Sequence, residues 1–172
     1  LAEHGPPDPL ELPAIVRSAF AAPERELHHT AVDLLVKQAR KLSPDDLPWI
    51  EELITTKSWW DTVDTLAVHV VGTILKRHPK DVARWNRRWI DSDDLWLNRT
   101  AILFQLRWKA DTDRALLFAN IERHAARKEF FIRKAIGWAL RAFAATDPEA
   151  VKSFVQAHAL SPLSRREALR KL

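Results

Sequence analysis

Apolar residues recur along this chain at intervals of three and four, the period of one face of an α-helix. Trp59, Val63, Leu66 and Val70 fall on one such stripe, Val82, Trp85 and Trp89 on a second, and Ile132, Ile136, Ala139 and Phe143 on a third. Helix starts punctuate the pattern. Ser43-Pro44-Asp45-Asp46, Ser58 with Asp61 three residues on, Ser92-Asp93-Asp94, Asp147-Pro148-Glu149 and Ser164 with Glu167 all have the form of N-caps. In each, a side-chain oxygen can accept from an orphan backbone N–H, and acidic groups suit the positive end of the helix. Between these marks the pattern predicts helices over about 9–20, 24–41, 44–55, 59–78, 80–90, 93–109, 111–124, 129–145, 147–157 and 162–171. The segment His4–Pro9 reads as a loop.

The spacing of the longer helices repeats. They centre near His29, Asp64, Arg99 and Arg133, which lie 35, 35 and 34 residues apart, each just before a small or apolar run. A period in the thirties with two helices per unit is the mark of an α-solenoid, here about five helix pairs curving round one groove. One helix of each pair lines the concave side, so corresponding positions fall in a row that reads His, Asp, Arg, Arg. The fold expected is all-α, a single domain over residues 1–172.

Composition narrows the chemistry. With 172 residues, 47% of them hydrophobic, the chain can bury one substantial core. Three glycines leave no glycine-rich phosphate loop, and the absence of cysteine removes disulfides, thiolate catalysis and Cys-type zinc sites. The seven histidines are scattered, so neither metal nor nucleotide cofactor is expected. No stretch approaches a membrane span, no signal peptide is visible, and a cytoplasmic, monomeric protein is the expectation. A net charge of +4 permits a nucleic-acid partner without requiring one. Eight tryptophans against no tyrosine suggest indoles with work at the surface.

Three constellations carry the candidate chemistry. Trp60 and Asp64 stand one turn apart at the start of their helix, on the stripe beside the core stripe. Taken alone, the pair reads more readily as a surface acid beside a packing residue. Lys134, Trp138 and Arg141 share a face that Ile132, Ile136, Ala139 and Phe143 leave free. They fit equally a cation–π decoration or a nucleic-acid surface, with cations for phosphate and a flat ring for sugar or base. Arg99 sits in an otherwise apolar helix and needs an anionic partner, either Asp64 one repeat back, a phosphate, or both in turn. The arginines at 84, 87 and 88 read as solvated, with Trp85 and Trp89 buried, and Gly72 and Gly137 as close-packing positions.

Asp64 ties the set together. A carboxylate among Arg, Lys and Trp would repel a phosphate backbone unless the substrate develops positive charge nearby. A purine alkylated at N7 or N3 is cationic, and breaking its N-glycosidic bond leaves an oxocarbenium-like sugar that a fixed carboxylate can stabilise. With these residues in view, the chain resembles the bacterial DNA alkylation repair glycosylases of the HEAT-like repeat type, the AlkD family. The resemblance runs through Arg25-Glu26-Leu27, Asp33-Leu34-Leu35, Thr56-Lys57-Ser58-Trp59-Trp60-Asp61-Thr62-Val63-Asp64 and Leu97-Asn98-Arg99-Thr100-Ala101. It continues through residues 128–140, KEFFIRKAIGWAL, and 160–169, LSPLSRREAL.

That resemblance implies excision of 3-methyladenine- and 7-methylguanine-type lesions in base excision repair, from double-stranded DNA held in the concave groove without a base-flipping pocket. It places the catalytic acid on Asp64, its supporting arginine on Arg99, and the lesion-facing indoles on Trp60 and Trp138. Lys134, Arg141, Arg133 and Lys57 complete the expected DNA contacts. Family members begin with further helices than are visible here, and the chain starts at Leu1 with no Met, so it is read as lacking them. Two rivals are a catalytically silent DNA-binding relative and a HEAT-repeat scaffold for protein partners. A scaffold has no reason to present a Trp–Asp–Arg–Trp set.

Overall fold

A computed structural model describes residues 11–170 and 172, and every described element is helical. The pairs are α1 (Leu12–Ala21) with α2 (Arg25–Gln38), and α3 (Leu47–Thr55) with a long helix. That helix comprises α4 (Trp60–Thr65), a π-helical segment Leu66–Val71 and α5 (Gly72–Arg77). Next come α6 (Pro79–Ile90) with α7 (Leu95–Leu103), α8 (Arg114–His124) with α9 (Phe130–Ala144), and α10 (Pro148–Ala157) with α11 (Pro162–Ala168). The five expected pairs are all present. The loop expected over His4–Pro9 lies outside the described residues.

The repeat is written in the polar contacts between units. Asn86 and Asn120 exchange amide hydrogen bonds at 2.9 and 2.7 Å, Arg88 grips Glu51, Trp108 Nε1 donates to the Gly72 carbonyl, and Arg99 grips Asp64. Their sequence separations are 34, 37, 36 and 35 residues. Each of these groups thus finds its partner one unit away, as a stack requires. Two rows of helices result. α1, α3, α6 and α8 are linked by Arg17–Glu52, Arg88–Glu51 and His124–Ile90, whereas α2, α4–α5, α7 and α9 carry the expected site residues.

Four local expectations fail for identifiable reasons. Ser58 does not cap, because its hydroxyl donates back to the Ile54 carbonyl at 2.6 Å. Trp59 takes the N-cap position in extended conformation, with φ −151°, and so leaves the helical stripe. Its ring stays 48% exposed, lying over Trp96 and Phe131, while Val63, Leu66 and Val70 are fully buried as expected. Ser164 lies inside α11, whose cap is Ser161, and donates instead to the Arg133 carbonyl at 2.8 Å. The helix expected to reach residue 109 stops at Leu103. There the Gln105 amide grips the backbone of Asp113, and Lys109 adopts a positive φ of 56°.

Gly72 and Gly137 are close-packing positions, as read. A Cβ on Gly137 would lie 2.5 Å from the Glu167 Cβ, and one on Gly72 would overlap the Phe104 carbonyl oxygen. Gly72→Ala is therefore expected to wedge α5 from the end of α7. A loss of about 1–3 kcal/mol should follow, several degrees in Tm for a domain of this size. Thermal unfolding followed by circular dichroism checks this; an unchanged Tm would show that the contact yields freely.

Candidate active site

The site is built from the bottom by one ion pair. α7 is apolar on nearly every side and carries Arg99 into the interior, where only 4% of the residue remains exposed. Arg99 Nε donates to Asp64 Oδ1 at 2.6 Å and Nη2 to Oδ2 at 2.7 Å, a bidentate fork. Nη1 donates to the carbonyl of Phe131 at the start of α9. Each of the three guanidinium nitrogens thus donates to a protein acceptor, and of the partners considered Asp64 is the one engaged here. Asp64, by contrast, keeps an edge open, its side chain 12% exposed.

That edge faces a cleft of about 240 Å³ lined by Asp64, Thr65, Val68, His69, Leu106, Arg107 and Trp138. His69 joins it because the helix widens. The Gly72 N–H bonds to the Ala67 carbonyl, five residues back, and within a π-turn residues five apart become neighbours. In a regular α-helix His69 would point well away from Asp64. Arg107 Nη1 lies 3.2 Å from His69 Nδ1. Burial, and then the charge of Arg107, lower the imidazole's pKa below the ordinary histidine value. Neither residue was picked out from the sequence. Only the π-segment and the turn after Leu103 bring them in, and the 3.6-residue period signals neither.

The expected site residues divide. Asp64, Arg99 and Trp138 come together, and Trp60 is 49% exposed one turn before Asp64. Lys134 and Arg141 do not flank Trp138 as free cations. Both reach the buried Glu167 of α11, at 3.2 and 2.7 Å, because the close approach at Gly137 sets that carboxylate between them. Lys57 has a positive φ of 47°, and its ammonium donates to the carbonyls of Ala21 and Ala22 at the end of α1. Arg133 Nε donates to the Arg127 carbonyl. The sequence showed all four charges but not the acceptors that engage them. A further aromatic group stands beside the site, where Trp59, Trp96 and Phe131 pack together and Phe130 is 60% exposed.

Comparison with known proteins adds a family to this geometry. The sequence profile of the DNA alkylation repair enzymes matches residues 4–172. The chain belongs to the DNA alkylation repair enzyme family. Among solved structures, a predicted DNA alkylation repair enzyme from Enterococcus faecalis superposes with a TM-score of 0.90 at 28% identity, over 96% of this chain and 77% of that one. The smu.31 protein of Streptococcus mutans UA159 shares the fold, with a TM-score of 0.75 at 16% identity over 99% of this chain and 88% of its own. No protein of curated function matches in sequence.

For this family member, a role in alkylation repair and contact with DNA follow from membership. Among the described residues no helix is long and apolar enough to cross a membrane, and no three His, Asp or Glu side chains gather as for a metal ion.

Glu167 yields a prediction with a definite pH sign. Burial would raise its pKa, but Lys134 and Arg141 outweigh that and hold it below the ordinary carboxylate range. Its contribution is therefore present above the unfolded value of about 4.3 and lost as pH falls through the lower folded value. Glu167→Gln should cost about 1.5–3 kcal/mol at neutral pH, the range for charged hydrogen bonds. The difference should vanish once the parent carboxylate is protonated. Urea unfolding across a pH series measures it; a constant difference would remove the ion pairs from the account.

Proposed function

We propose that this protein is a monofunctional DNA glycosylase hydrolysing the N-glycosidic bond of alkylated purines such as 3-methyladenine and 7-methylguanine. The observation that carries the reading is Asp64: an ionisable carboxylate fixed by a buried arginine, with one edge open to a cleft walled by Trp138. A carboxylate that merely decorated a surface would have no need of so complete a support.

The chemistry follows from charge. An N7- or N3-alkylated purine carries formal positive charge, so it is a good leaving group without prior protonation. As the bond from C1′ to the base breaks, its electron pair moves onto the purine, which departs neutral, and the positive charge passes to the sugar. Asp64 stabilises that charge and orients the water that adds at C1′, the water's proton passing to solvent. Arg99 acts as a positioning residue. It holds both carboxylate oxygens, so that no reorganisation is needed as charge develops. Trp60 and Trp138 pack on the deoxyribose and the lesion, and the open cleft lets the base be attacked without being swung into a closed pocket. Arg133 and Lys57, with Lys134 and Arg141, are weaker candidates for phosphate than the sequence implied, since each already serves an acceptor of its own. The acting partner is duplex DNA, and the place of action the bacterial nucleoid.

Asp64→Asn keeps the shape and removes the charge. Excision should fall by on the order of 10²-fold or more, as when one preorganised electrostatic group is lost. The substitution also leaves Arg99 buried without its counter-charge, a cost of about 3–5 kcal/mol when a buried pair is broken. Single-turnover release of 7-methylguanine must therefore be measured below the variant's own unfolding transition. Equal rates for folded Asp64→Asn and parent would end the assignment, and no excision by the parent would favour the silent DNA-binding relative.

Trp138→Phe serves as a second test that spares the ion pair. It should weaken discrimination of methylated from plain duplex as well as slow release. Competition binding between the two duplexes reads this directly, and unchanged discrimination would remove Trp138 from lesion contact.

A further inference from the structure

The helix that carries Asp64 departs from α-geometry over Leu66–Val71, and the departure puts a histidine where a regular helix would not. π-turns inside α-helices are frequent at functional sites. His69 lines the same cleft of about 240 Å³ as Asp64, Thr65 and Trp138. Its side chain is only partly buried, so the core does not need it, and hydrolysis at Asp64 leaves it without a role.

The neighbouring arginine fixes the tautomer of this ring. Arg107 Nη1 lies 3.2 Å from His69 Nδ1, and a guanidinium can only donate, so Nδ1 accepts. Burial, and then the Arg107 charge, hold the imidazole's pKa below the ordinary histidine value, so the ring is neutral at neutral pH. Its single proton therefore resides on Nε2, and that N–H has no acceptor among the described residues. A neutral donor suits a cleft that must admit a cationic base, whereas a lysine at the same place would repel it. Arg107 itself is exposed, where water and salt screen its charge.

A 7-alkylated guanine that stays in the stack presents few free acceptors. N7 carries the alkyl group, the Watson–Crick edge meets the partner cytosine, and O6 lies on the major-groove side. N3 remains free on the minor-groove edge, next to N9 and so beside C1′, the atom at which Asp64 acts. We propose that His69 is a specificity-determining residue whose Nε2–H donates to N3 of a 7-alkylated guanine. As the glycosidic bond breaks, the departing purine loses its positive charge and N3 becomes a better acceptor, so the contact strengthens towards the transition state. A 3-alkylated adenine carries its alkyl group on N3, offers no lone pair there and forgoes the contact. The inference rests on the glycosylase reading and makes the two lesion classes depend differently on one side chain.

The test compares release of 7-methylguanine and of 3-methyladenine, each from its own duplex, in single turnover at saturating protein. His69→Phe keeps a flat ring and removes the donor; His69→Ala removes the ring as well. In both, the rate ratio of 7-methylguanine to 3-methyladenine should fall by about 3–10-fold from the parent's, the size of one neutral hydrogen bond. His69→Gln, whose amide supplies a neutral N–H at similar reach, should restore the ratio. Each protein is its own reference, so a loss of stability or a general loosening of the cleft lowers both rates and leaves the ratio alone. A parent-like ratio in the Phe and Ala variants overturns the role of His69 while the glycosylase reading stands. A ratio that His69→Gln fails to restore overturns the hydrogen bond in favour of ring shape. Release of neither base by the parent overturns the glycosylase reading, and this inference with it.

Discussion

The Arg99 guanidinium is the joint on which this structure turns. It rises from α7, closes a fork on Asp64 of the preceding unit and reaches the Phe131 carbonyl of the following one. One buried cation thereby spans three repeats. Its charge is tolerable in so apolar a place because each of its three nitrogens donates to an acceptor in the protein. Folded proteins of ordinary size are stable by about 5–15 kcal/mol, so a pair worth several kcal/mol when broken is a large share of the total. Stability and the candidate site are thus coupled at one point: the contact that locks the stack also fixes the Asp64 carboxylate.

The same economy of partners shapes the rest of the surface. Charges that look available in the sequence are largely taken up: Lys57 by the end of α1, Lys134 and Arg141 by Glu167, Arg25 by Asp61 and the Lys57 carbonyl. Beside the Asp64 cleft, Lys37, Arg40 and Arg107 line a recess without a carboxylate partner among the described residues. A fixed carboxylate, an indole wall and a neighbouring field of cations make a divided surface.

Sequence by itself determined the helical class, the five pairs and the row of positions one repeat apart. These depend on local physics: caps, apolar periodicity, and the inability of a single pair to bury its own face. Trp60, Asp64, Arg99 and Trp138 were legible for the same reason, since a polar or outsized residue on a helical stripe stands out against its neighbours. Tertiary structure alone decided which charges stay unpaired. Glu167 is 26 residues beyond Arg141 and meets it only because Gly137 lets α11 close in. It also decided that Trp59 leaves the core, because Ser58 turns back to Ile54 and the helix begins one residue late. His69 and Arg107 were invisible until a π-turn and a broken helix end brought them to Asp64. Periodicity assumes a uniform helix, and the groups at this cleft assemble where the helix ceases to be uniform.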